Sequence, residues 1–220
     1  MKSQRTSMPA DERLLAATRD AVVVHGVRRT TANDIAERAG VSRMTFYRRM
    51  GSVENAVLAA LTEEFRRYAG EAGAGTAAGP AGTAAAGSTA AAGTGREQLV
   101  RFAVESVRVF ATSELIASIA ERDPEFLIPY VTDRFGASQQ LILERLHALL
   151  GAGAGDGSIE VSDGTATALL LAVQGVALSC RVLRKTGAFE GALAELGKML
   201  ERYLTPSDAM ADGAARARGN

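Results

Sequence analysis

This chain has little from which metal, disulfide or membrane chemistry could be built. Cys180 is the single cysteine in 220 residues, and the two histidines, His25 and His147, stand far apart. Neither a disulfide framework, a thiolate metal site nor a histidine-rich site can be assembled from that set, so no metal and no cofactor is expected. One free thiol also fits a reducing compartment. The opening MKSQRTSMPADER is polar, and the longest apolar stretch, around Ala166 to Ala177, is interrupted by Thr167 and Gln174. No targeting or membrane segment is expected from it, and the cytoplasm is the default location. Two-residue alternation is missing over any stretch long enough to make a sheet, whereas helical spacing recurs almost everywhere, so the expected class is all-α.

Net charge is missing as well, with 25 basic and 25 acidic groups. A zero average would argue against a nucleic-acid partner, but the charges are unevenly placed. Residues 1–50 carry ten basic groups against five acidic ones and are therefore +5, which leaves the remaining 170 residues at −5. An N-terminal basic segment joined to an acidic remainder suggests one domain that approaches phosphate and one that does not.

Periodicity divides the chain further. A first helix is expected from Asp11 to His25 with Leu14, Ala17, Ala21 and Val24 on one face, stopped by Gly26. Short helices at 32–39 and 43–49 complete an N-terminal domain over 1–51, and a connecting helix at 52–68 repeats Val57, Leu58, Leu61, Phe65 and Tyr68 at helical spacing. Residues 69–95 hold 12 Ala, 8 Gly and 4 Thr with no large apolar side chain, which reads as a flexible linker. A C-terminal domain is expected over 96–204. Its helices start at Arg96 and Glu114, then at Asp123-Pro124 with the aspartate as cap, continuing to Leu150. GAGAGDG at 151–157 is expected to be a loop, followed by helices over 163–185 and 189–204 and a disordered tail over 205–220.

The segment Thr30–Arg49 is the most informative. Thr31 can cap a helix with Asp34 completing a capping box, Ile35, Ala36 and Ala39 form an inner face, Gly40 turns the chain, Val41 plugs the corner and Ser42 caps the next helix. These are the local signs of a helix-turn-helix. At 100° per residue, Phe46 and Met50 share the core side of the second helix. Arg43, Met44 and Thr45 then suit base edges in a major groove, while Tyr47, Arg48 and Arg49 suit phosphates together with Thr31 and the free N–H groups at its helix start; Ser42 stands at the same end. Solvation alone would explain arginines on a helix surface, but not a tyrosine and a threonine interleaved with them behind a glycine turn.

These residues resemble the tetracycline-repressor (TetR) family of bacterial regulators. The resemblance runs from Asp11 to about Leu61 through Gly26, Thr30-Thr31, Asp34-Ile35-Ala36, Ala39-Gly40-Val41-Ser42, Thr45-Phe46-Tyr47 and Ser52. It implies a three-helix DNA-binding domain joined by a fourth helix to an all-α ligand-binding and dimerisation domain. It also implies DNA contacts at Thr31, Arg43, Met44, Thr45, Tyr47 and Arg49. Three features depart from the family: Met50 where an aromatic is usual, Val53 near a usual phosphate-binding lysine, and the 27-residue insert at 69–95.

The C-terminal region is less specific. Phe189, Leu193, Leu196, Leu200 and Tyr203 follow 4-3-4-3 spacing, and Leu170 and Val173 lie on a helix apolar around most of its circumference, so these residues are candidates for a homodimer interface, with intramolecular packing as the competing explanation. Phe102, Phe110, Phe126, Tyr130 and Gln174 are candidates for a small-molecule site, with Phe135, Arg122 and His147 as further possibilities. The expected function is a ligand-released repressor that binds a palindromic double-stranded DNA operator as a homodimer, associated with the nucleoid when bound. An activator or ligand-independent regulator is the alternative; a carrier or enzyme is a weaker one, since no acid/base pair, nucleophile or phosphate loop is evident.

Overall fold

A computed structural model describes residues 9–74 and 93–207, and every regular element among them is helical. The middle of the expected linker and the tail beyond Ser207 lie outside the described residues. The chain forms two compact units. The first holds the N-terminal helices to Arg66 together with Thr112–Ser138, and the second holds Arg67–Ala111 and everything from Gln139 onward. Residues 112–138, which the sequence groups with 96–204, therefore pack with the N-terminal helices.

In the first unit α1 (Ala10–His25), α2 (Ala32–Ala39) and α3 (Arg43–Met50) surround Leu14, Ala17, Ala21, Ile35, Ala36, Ala39 and Phe46, all buried. Val41, Met50 and Val53 close the edge of this core, the last from the start of α4 (Val53–Ala74). Alanine at four of those positions lets the helix backbones approach closely, so one phenylalanine fills the centre. The expected end of the connecting helix at 68 is passed, because alanine-rich sequence sustains helix to Ala74. The unit is completed by α6 (Glu114–Arg122), a 3₁₀ turn at Pro124–Phe126 and the short α7 (Pro129–Thr132).

The second unit packs α5 (Gly95–Thr112), α8 (Ala137–Gly155), α9 (Thr165–Leu178), α10 (Cys180–Lys185) and α11 (Phe189–Leu204) around Leu99, Phe102, Val107, Leu146, Leu169 and Leu193. Tyr68 of α4 stacks on Phe102 with ring centroids 5.7 Å apart and donates its hydroxyl to the Phe102 carbonyl at 3.1 Å. Its phenol is pushed up to about 12, chiefly by burial. Arg96 gathers the ends of three segments, donating to Glu201 at 3.2 Å, the Ser158 carbonyl at 3.2 Å and Thr205 at 3.1 Å.

Three expectations are corrected. The single helix from Asp123 to Leu150 is instead the 3₁₀ turn, α7 and α8, because Pro129 and Gly136 interrupt it and Asp123 makes no capping bond of its own. The glycine run at 151–157 is not all loop: α8 continues to Gly155, and a Cβ on its Gly153 would collide with Ile159 and one on Gly95 with the Gly153 backbone. Within the run Gly153 serves close packing, and only Gly157 needs a positive φ, at 74°. The long helix over 163–185 breaks into α9 and α10 at Ser179.

Candidate nucleic-acid interface

Each half of the helix-turn-helix is closed by its own side chains. Asp34 N–H donates to the Thr31 hydroxyl at 3.2 Å, and the Asp34 carboxylate accepts from Thr31 N–H at 3.1 Å and Thr31 O–H at 2.7 Å, completing the capping box. Those Thr31 bonds hold the Asp34 carboxyl below its ordinary 3.8. Gly40 adopts φ 65°, ψ 38°, and Val41 N–H reaches back to the Ala36 carbonyl at 2.9 Å. Ser42 then accepts from Thr45 N–H at 3.1 Å and starts α3. These bonds leave α3 rigid in direction, which a groove-reading helix requires.

Phe46 is fully buried, and the rest of α3 is directed by that anchor. Arg43, Met44, Tyr47, Arg48 and Arg49 are exposed, Met44 at 76%, while Thr45 is half-buried. The Arg43 guanidinium lies 5.4 Å from the Tyr47 ring centroid and donates to its hydroxyl at 3.4 Å, and Tyr47 meets Phe46 edge-on. A side chain that sequence leaves free is thus pre-oriented by its neighbour one turn on. Arg49 is paired with Asp11 of α1 at 2.7 Å, so part of its charge is neutralised within the unit. Thr31 is exposed at the start of α2.

The structure also gives Arg122 and Asp123 partners other than those expected from the sequence, and adds Ser118, which the sequence did not single out. Ser118 donates to the Val22 carbonyl at 2.8 Å, Arg122 to the Val24 carbonyl at 2.5 Å, and Asp123 accepts from Val27 N–H at 2.6 Å and Arg28 N–H at 3.3 Å. Arg122 is therefore tied to the end of α1. Asp123 read locally as a helix cap, and no sequence signal pointed to a partner nearly a hundred positions away.

The C-terminal candidates are redistributed. Leu170, Val173, Phe189, Leu193, Leu196 and Leu200 are buried in the core of their own chain, which corrects their assignment to a surface between chains. A 4-3 stripe identifies a buried face without saying what covers it, and here α5 and α8 share that core. Tyr203 is 58% exposed and stays available, as do Leu171, Leu178, Val182 and Met199. Of the ligand candidates, Phe102 is core, Phe110 packs beside it, and Gln174 accepts from Gln139 at 2.6 Å, all in the second unit. Phe126 and Tyr130 meet at 6.4 Å in the first unit, and Phe135 is exposed there. His147 is exposed on α8, its Nδ1 2.8 Å from the Leu143 carbonyl, and burial pushes the Cys180 thiol up.

A capped, glycine-turned helix pair presenting arginine, tyrosine and threonine from one rigid helix is the reading head of a helix-turn-helix DNA-binding regulator. Residues 14–55 match the family described as bacterial regulatory proteins, tetR family. An uncharacterized HTH-type transcriptional regulator of Mycobacterium bovis is 30% identical over 87% of this chain and 93% of its own, and one from Mycobacterium tuberculosis gives the same figures. The chain belongs to the tetR family of bacterial regulatory proteins. Its fold is similar to a solved structure concerned with control of antibiotic production by bacterial hormones (TM-score 0.64, 16% identity, 91% of this chain and 100% of that one). It is also similar to FadR of Bacillus halodurans, a fatty acid degradation regulator (0.60, 14%, 88% and 95%), and to FadR of Bacillus subtilis, solved with stearoyl-CoA (0.57, 12%, 88% and 98%). Among the described residues no helix is long and apolar enough to cross a membrane.

Proposed function

We propose that this regulator is a repressor that holds a palindromic operator as a homodimer and leaves it when a small molecule binds. The single observation that carries the reading is α3, with Phe46 locked in the core and Arg43, Met44 and Thr45 displayed at its capped N-terminal end. Arg43 suits guanine O6 and N7, and Met44 or Thr45 a thymine methyl. Tyr47, Arg48, Thr31 and the start of α2 suit phosphates, with Ser42 holding the end of α3 that enters the groove. Arg49 joins the phosphate set by exchanging Asp11 for DNA.

A lone reading head covers one half-site, and two-fold operators require a second copy about 34 Å away. On α9 and α10, Ala168, Leu171, Gly175, Leu178 and Val182 are exposed at 3-4-3-4 spacing without a charge among them, and Met199 and Tyr203 are exposed on α11. An uncharged, coiled-coil-like seam on a surface suits pairing with a copy of itself. The effector is taken to be an organic molecule of partly apolar character, in keeping with the stearoyl-CoA held by the Bacillus subtilis structure and with Phe110 beside the core of the second unit. It would act by a coupling free energy of about 1–3 kcal/mol between its site and the DNA.

The test is footprinting on DNA flanking the gene, repeated with candidate metabolites and with in vitro transcription. A protected two-fold site released by one metabolite, with transcription rising on release, supports the reading. Transcription that falls on release would make the protein an activator, and protection unmoved by any metabolite would make it ligand-independent.

A further inference from the structure

The joint between α6 and the end of α1 is more elaborate than helix packing needs. The bonded pairs advance together along both helices: Arg19 with Glu114 at 3.1 Å, Val22 with Ser118, Val24 with Arg122, and Val27 with Asp123. The carbonyls of the last turn of an α-helix lack N–H partners within it, and Arg122 supplies a donor to that of Val24, adding a positive charge where the helix end is negative, while Ser118 adds a second bond to the Val22 carbonyl, which also accepts the Gly26 N–H at 2.8 Å. Asp123 does something different. It is 3% exposed, and its two oxygens separately accept the N–H groups of Val27 and Arg28, with Arg28 Nε 3.7 Å from the Oδ1 oxygen. Arg28 also pairs with Glu125 through its other end.

Those two N–H groups open the turn that delivers α2. Gly26 stands at φ 80°, where a Cβ would lie 2.7 Å from the Asp123 carboxylate, and Thr30 closes the turn by donating its hydroxyl to the Gly26 carbonyl at 2.6 Å and its N–H to the Val27 carbonyl at 3.2 Å. The next residue is Thr31, the cap of α2. A carboxylate just after α6 therefore organises the backbone that places the cap of the first helix of the DNA-reading pair. We propose that Asp123 is a positioning residue for DNA binding, holding the Gly26–Thr30 turn so that Thr31 and the start of α2 meet the phosphate backbone. This rests on the reading of Thr31 as a phosphate contact.

The experiment compares the full-length wild type with Asp123→Asn, Thr31→Ala and the double variant. The probes are a duplex recovered by the wild type from a randomised pool and a random-sequence duplex of equal length. Affinities are taken per active molecule, after stoichiometric titration, and exchange of the Val27 and Arg28 amides is followed without DNA. Asp123→Asn keeps shape but leaves one N–H facing an amide donor. Binding to both duplexes should weaken by about tenfold, the change expected on losing one charge-assisted hydrogen bond. The two amides should exchange faster, and Thr31→Ala should cost less in the Asp123→Asn background than alone. Should Asp123→Asn fold poorly, Gly26→Ala presses on the same carboxylate from the other side and should show the same loss per active molecule.

Thr31→Ala weakening binding while Asp123→Asn only lowers the melting temperature would overturn this proposal and leave the phosphate reading standing. Losses that multiply independently would overturn it too. Thr31→Ala binding like wild type would overturn the phosphate reading and this route with it.

Discussion

The two units are built on different physics. In the first, small residues bring short helices together around one phenylalanine, and polar side chains hold the turns of the reading head: Thr31 with Asp34, Ser42 with Thr45, and Asp123 with the α1–α2 turn. In the second, longer helices bury leucines over a wide area, and polar contacts such as the paired bonds from Arg108 to Glu190, at 3.0 and 2.8 Å, lie at the rim. Hydrogen-bonded caps specify direction, whereas apolar burial mainly supplies stability and tolerates substitution. A module that must match the groove of DNA needs the first kind of construction. A helical body without that constraint can use the second.

The largest expected effect separates the two cores. Phe46→Ala should cost the first unit about 3–5 kcal/mol, leaving a calorimetric trace with an early transition for that unit and a preserved one for the second; a single shared transition would show that the units do not fold separately. Next, Leu196→Ala should destabilise the second unit by about 2–5 kcal/mol. Leu171→Glu, on the exposed seam, should leave the melting temperature of the subunit unchanged and shift sedimentation toward monomer. If Leu196→Ala were harmless to stability, its placement inside the core would be wrong.

Smaller effects test how the interface is divided. Arg43→Ala should cost about 1–3 kcal/mol of discrimination at one base position, while Arg49→Ala should weaken all duplexes alike. Competition assays with single-base operator variants separate the two, and a uniform loss for both would refute the assignment. Thr31→Ala should reduce stability by about 1 kcal/mol. The capping box also predicts a pH dependence. Asp34 is held below its ordinary value, so its contribution is fully present above the unfolded pKa and is lost as pH falls through the lowered one. The melting difference between wild type and Asp34→Asn should therefore shrink toward zero under strongly acidic conditions. The smallest effect is that of Val53→Lys. Val53 packs against the helix-turn-helix core, and a lysine stem can cover the same surface while its ammonium reaches phosphate. Binding should tighten a few-fold and the salt dependence steepen by about one ion; an unchanged slope in a salt titration would exclude the contact.

Much of the first unit could be read without coordinates because its signals are local. Thr31 and Asp34, Gly40, and Ser42 with Thr45 each interact within a few residues, so the side chains that close each turn stand beside it in the sequence. The helical projection of α3 likewise needs only 100° per residue and one buried anchor, Phe46. The glycine run at 151–157 misled for the opposite reason: Gly153 and Gly95 are small because other segments press on them, and composition alone cannot distinguish a glycine that bends a chain from one that admits a neighbour. Similarly, the stripe through Leu193, Leu196 and Leu200 identified a buried face correctly while leaving its cover unknown.

The sequence by itself determined the helical class, the capped and turned reading head and the segregation of positive charge into the first fifty residues. All of these depend on residues adjacent in the chain or on simple counting. Tertiary structure decided what no local rule contains: that α6 belongs with the DNA-reading helices, that Asp123 caps a turn 96 positions away and not its own helix, and which face of α11 is left exposed. A carboxylate beside a proline satisfies a local cap and a distant pair of amides equally well on paper. The choice between them is made only when packing brings one set of donors to it and leaves the other to water.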